Sequence, residues 1–92
     1  KDFAAYVKEN NTQEISIDCC TEELAELIQA LQKFNRNKKH NIPEELSHVI
    51  LMSEVIKQIF EIDDSEIEKY CLDAVDRMKK AIDDTTAKAD AA

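Results

Sequence analysis

An all-α fold is predicted by three observations: the chain has no glycine, it has a single proline, and its apolar residues recur every three or four positions over most of its 92 residues. Tight β-hairpins lean on glycine where φ must be positive, so an all-β arrangement is not expected. Recurrence at three and four is the pattern of a helix with one buried face. The pattern gives three core helices preceded by a short helix, in one helical domain over residues 1–82, with a flexible tail over 83–92. A chain this small buries proportionally little of its surface. Its wide apolar faces therefore predict a bundle completed by a second copy.

The short first helix covers residues 1–9, where Phe3, Tyr6 and Val7 share a face. Asn10-Asn11-Thr12 breaks it. The second helix runs from about Thr12 or Ser16 to about Asn35, with Ile17, Cys20, Leu24, Leu27, Leu31 and Phe34 as its packing stripe and Ile28 widening it. Residues 35–41 form a polar loop in which an asparagine can take the left-handed conformation that usually falls to glycine. The third helix opens with Asn41 as N-cap, Glu44 in the capping-box position and Pro43 in the first turn, where its missing N–H does no harm. It reaches about Phe60 with Ile42, Leu46, Val49, Ile50, Val55, Ile56, Ile59 and Phe60 as a broad apolar face. Asp63 and Glu66 mark the start of the fourth helix, which carries Ile67, Cys71, Ala74, Met78 and Ile82 at helical spacing and ends near Ile82.

The net charge of −8 argues against a nucleic-acid polymer as partner, because phosphate backbones are held by basic patches. It leaves room for a free nucleotide that arrives with its metal. Cys19, Cys20 and Cys71 are an odd set without C-x-x-C spacing, so neither a zinc site nor a disulfide framework is indicated. Free thiols fit a reducing, cytoplasmic compartment. No signal-peptide pattern is visible, and no apolar run approaches the roughly 18 residues of a membrane span.

The chemistry concentrates in two short acidic runs, Glu22-Glu23-Leu24-Ala25-Glu26 and Glu44-Glu45-Leu46-Ser47-His48. Residues three apart share a helix face, so Glu23 pairs with Glu26 and Glu45 with His48. If the two helices pack side by side, three carboxylates and an imidazole converge. Carboxylate oxygens are the ligands of hard divalent cations. Acids are also common as solvated groups in a helix's first turn. Here each pair lies beside apolar positions, and the stretch from Leu27 to Glu44 suits a helix, a loop and a returning helix.

The run from Glu22 to Arg36 resembles the first half of the signature of the MazG-like all-α nucleoside triphosphate pyrophosphohydrolases, and Pro43-Glu44-Glu45-Leu46-Ser47-His48-Val49-Ile50-Leu51 resembles the second half. The similarity continues through Ile62 to Lys69 and covers about residues 15–82. It implies a metal-dependent hydrolysis of a (deoxy)nucleoside triphosphate to the monophosphate and pyrophosphate. By position, Glu23, Glu26, Glu45 and His48 would be the metal ligands. Glu22 and Glu44 would serve the catalytic step, by holding a second metal or orienting water, or would cap the turn. Lys33 and Arg36 would reach phosphates, or else would only complement the end of the helix. Arg77 matches one of the basic positions on the last helix, whereas Ala74 stands where the family often has lysine. The resemblance also implies homodimers or homotetramers. The family's fourth ligand is aspartate; His48 in its place turns the expectation from Mg²⁺ alone toward Mn²⁺ as well, because imidazole suits later divalent metals. The alternative is a catalytically weakened relative that binds nucleotide and metal as a regulatory helical module.

Overall fold

The computed structural model describes residues 2–91. It contains four helices, α1 (Phe3–Asn10), α2 (Gln13–Asn35), α3 (Ile42–Ile59) and α4 (Asp64–Ala91), and no strand among the described residues. The chain divides into two compact units, one ending at Ile62 and the other beginning at Asp63.

Local chemistry sets the helix ends. Thr12 caps α2, its Oγ1 accepting from the Ile15 N–H at 3.2 Å. Asn37 (φ 57°) and Glu61 (φ 52°) take the left-handed conformation after α2 and α3. Each allows the next N–H to reach back into the helix, Lys38 to the Lys33 carbonyl at 2.8 Å and Ile62 to the Lys57 carbonyl at 2.9 Å. Pro43 sits in the first turn of α3 and Asn41 occupies the N-cap position, but the cap expected of the Asn41 side chain is not made. Its Nδ2 donates instead to Glu45 Oε2 at 2.7 Å, because a buried carboxylate needs a donor more than an exposed helix end does. At the start of α4 the Glu66 carboxylate accepts from the Asp63 N–H at 3.3 Å. This helix continues to Ala91 and takes in the stretch expected as a flexible tail. The apolar period stops at Ile82, yet alanine and lysine sustain a helix, and neither glycine nor proline follows to end it.

Within the first unit α2 and α3 run antiparallel, with Cys20 opposite Met52 and Glu23 opposite His48. The residues of α2 withdrawn from solvent are Ser16, Cys20, Glu23, Leu27 and Ala30; those of α3 include Glu45, His48, Met52, Val55 and Ile59. Both sets alternate by three and four, the spacing of a two-helix seam. This corrects the expected stripe. Leu24, Leu31 and Phe34 are exposed, and Ile28 is 60% exposed. The interface is one residue out of phase with the large apolar side chains, because small residues at Ser16, Cys20 and Ala30 let the helices approach closely. The displaced side chains are ordered too. Ile17, Leu24, Ile28 and Leu31 each follow a seam residue of α2, and Leu46, Ile50 and Phe60 likewise follow half-buried or buried residues of α3. One residue is about 100° of turn. In antiparallel helices a turn of the same sense carries both stripes to one side of the pair.

α1 lies mainly against α3 and also touches α2. α4 is amphipathic, with Ile67, Met78 and Ile82 exposed. No helix among the described residues is long and apolar enough to cross a membrane.

Candidate metal centre

Midway along the seam the small and apolar residues give way to a polar layer. Glu23 comes from α2 and is partly covered, Glu26 stands one turn further along the same helix and is exposed, Glu45 is buried in α3, and His48 lies one turn beyond it, half-buried. Each offers one ligand atom, and these four atoms lie within 4.8 Å of one another. His48 Nδ1 is 3.0 Å from Glu23 Oε1 and 3.3 Å from Glu45 Oε1. For an ion with ligands at about 2.1 Å, neighbouring ligands stand about 3.0 Å apart and opposite ones about 4.2 Å. The four atoms, within 4.8 Å of one another, spread at most about 0.6 Å wider than this, so a single divalent ion at their centre would draw the most distant pair together.

The electrostatics give the same fit. Glu45 is only 9% exposed, and its Oε1 accepts no hydrogen bond although it lies within ion-pair range of the imidazole. A buried carboxylate oxygen without a donor is costly, of the order of 1–3 kcal/mol, and a cation would satisfy it. Glu26 holds its proton more tightly than an ordinary carboxyl, first because of the Glu23 charge, then because of the Glu45 charge, desolvation and a hydrogen bond to Glu45; His48 opposes this. For His48, desolvation would lower the basicity, but the Glu23 charge and hydrogen bond and the Glu45 and Glu44 charges outweigh it, so the imidazole sits above its usual value. A proton on Nδ1 thus occupies the position between carboxylates where a cation would sit. Carboxylates with one imidazole form a donor set suited to Mn²⁺ and its neighbours, and accessible to Mg²⁺.

The remaining sequence-chosen residues stand around this layer. Glu22 and Glu44 are exposed, outside the four-atom group, with Glu44 near enough for its charge to act on His48. Lys33 and Arg36 are exposed at the C-terminal end of α2, about 10 and 15 Å along the axis from Glu26 at 1.5 Å per residue. Arg77 is exposed on α4, in the second unit. The residue that sequence reasoning missed is Asn41, which fixes one oxygen of Glu45 and leaves the other facing the group. Its spacing of four from Glu45 was the available signal. Comparison with protein-family models, with curated proteins and with solved structures finds no match to this chain.

Proposed function

We propose that the polar layer between α2 and α3 binds a divalent cation and, through it, the phosphates of a nucleoside triphosphate, which the protein hydrolyses to the monophosphate and pyrophosphate. The observation that carries this reading is the convergence of four ligand atoms from two helices within 4.8 Å, together with a buried carboxylate, Glu45, whose Oε1 accepts no hydrogen bond. The resemblance of residues 22–36 and 43–51 to the pyrophosphohydrolase signature supplies the reaction.

In this reading Glu23, Glu45 and His48 form the floor of the site, and exposed Glu26 is the ligand on its solvent side. Asn41 keeps Glu45 from turning. The bound ion, Mn²⁺ or Mg²⁺, would neutralise charge on the phosphate oxygens and polarise the phosphorus they carry. Glu22 and Glu44, beside the floor, are the carboxylates available to orient a water and take its proton. The water oxygen bonds to the α-phosphorus as the bond to the bridging oxygen breaks, and pyrophosphate leaves. Lys33 and Arg36, further along α2, supply positive charge for the phosphates.

A second copy completes the bundle. Leu24, Ile28 and Leu31 on α2, with Leu46 and Ile50 on α3, share one exposed side, whereas among the described residues only Val55 is a large fully buried side chain. So small a core rarely sustains a fold alone.

The test is pyrophosphate release from a panel of (deoxy)nucleoside triphosphates with Mn²⁺ and with Mg²⁺, comparing the native chain with Glu23→Gln and Glu45→Gln. Release that both variants abolish supports the enzyme reading. Metal-dependent nucleotide binding without release would replace it by the regulatory module. Metal binding unchanged in both variants would remove the site altogether.

A further inference from the structure

We infer that the junction of α1, the start of α2 and the end of α3 is a second site, separate from the carboxylate layer, that binds a small tetrahedral oxyanion such as phosphate. A cavity of about 200 Å³ is lined there by Lys8, Asn11, Gln13, Ser16 and Ile59. A water's share of liquid volume is about 30 Å³, so the space admits a phosphate with room for its hydration.

The lining is made for an anion. Lys8 brings a positive charge, Asn11 and Gln13 bring side-chain amides, and none of the five residues is acidic, in a chain whose net charge is −8. The cavity also adjoins the N-terminus of a 23-residue helix. Thr12 uses its side chain on the Ile15 N–H and its carbonyl on the Ser16 N–H, so the first-turn N–H groups of Gln13 and Glu14 have no acceptor within the helix. Helix N-termini of this kind attract anions through those donors and through the helix dipole.

An independent observation points the same way. Ser16 is 2% exposed, and its hydroxyl has no hydrogen-bond partner. Alanine would fill the seam as well, as Ala30 does further along. A hydroxyl buried without a partner is unfavourable, and an oxyanion in the cavity whose wall it forms would give it an acceptor. The site lies about 10 Å from Glu23 along α2, at 1.5 Å per residue, so the two can be occupied or emptied separately.

The experiment is a titration of the native chain with inorganic phosphate and, in parallel, with glycerol phosphate, followed by amide chemical shifts. EDTA is present throughout, so that no phosphate is held through a metal at the carboxylate layer. The expected result is saturable movement of the Gln13 and Glu14 amides with either probe; the tighter probe tells whether the free ion or an ester is the natural source. Lys8→Gln and Ser16→Ala are each expected to weaken binding at least tenfold. Ser16→Ala is also expected to raise the melting temperature without phosphate, since it removes the unpaired hydroxyl. Failure of both probes to move these amides would overturn the inference, as would unchanged affinity in both variants. Neither failure would bear on divalent-ion binding at Glu45.

Discussion

His48 Nδ1 stands 3.0 Å from Glu23 Oε1, across the seam between α2 and α3. This contact joins two helices through a single proton, and it makes the unmetallated protein sensitive to pH. The His48 imidazole is raised above its usual value of 6.5, and the Glu26 carboxyl above 4.5. A raised value means that the folded state holds the proton more tightly. That stability is complete below the unfolded value and is lost as pH climbs through the folded one. Without metal, the melting temperature is therefore expected to fall as the pH rises past the usual imidazole value of 6.5. A melting series in EDTA checks this, and a rising curve would refute it.

With a divalent cation the dependence reverses. Ligands must shed their protons to bind the ion, so the stabilisation conferred by Mn²⁺ should grow over the same rise in pH. At a free-ion concentration of 100 times the dissociation constant it amounts to about 2.7 kcal/mol. Melting curves with and without Mn²⁺ at each pH measure it directly.

Glu45→Gln should separate stability from binding. The change removes a buried charge while leaving an oxygen for the Asn41 amide. The metal-free protein is expected to gain on the order of 1 kcal/mol, while Mn²⁺-induced stabilisation disappears. A variant that loses stability and keeps its metal response would place Glu45 outside the site.

His48→Asp exchanges the imidazole for a fourth carboxylate. Preference should shift from Mn²⁺ toward Mg²⁺, because oxygen ligands suit the harder ion. Calorimetric titration with both ions gives the ratio. Without metal the same variant should be less stable than the native chain, since four acids then share the layer without the imidazolium between them.

Two substitutions on α2 should behave in opposite ways. Ala30 is 1% exposed in the seam, and Ala30→Leu should wedge the helices apart at a cost of about 1–3 kcal/mol. Ile28→Ser alters an outward side chain and should leave the helical content intact while weakening self-association. Circular dichroism and sedimentation together distinguish the two effects.

The sequence revealed the helices more readily than their rotation. Thr12, Pro43 and Asp63 marked starts through local chemistry that tertiary structure did not override. The left-handed end at Asn37 was foreseeable from asparagine, but the one at Glu61 was not, since glutamate carries no such preference. The pairing of Glu23 with Glu26 and of Glu45 with His48 followed from spacing, because i and i+3 share a face in any helix; that the two pairs meet depended on α2 and α3 packing side by side. The packing stripe did not follow from spacing. Hydrophobicity pointed to Leu24 and Leu31, and the contact keeps Cys20 and Leu27 but otherwise uses Ser16, Glu23 and Ala30. Periodicity counts how often apolar residues recur. It does not say which of two stripes meets α3 when one stripe is bulky and the other is small enough for close approach.

Glu23 and Leu24 are neighbours in the chain and point about a quarter-turn apart. No rotation of α2 can aim both at α3. The carboxylate layer directed inward and the apolar stripe directed outward therefore run on separate tracks of one rod, each open to mutation without disturbing the other.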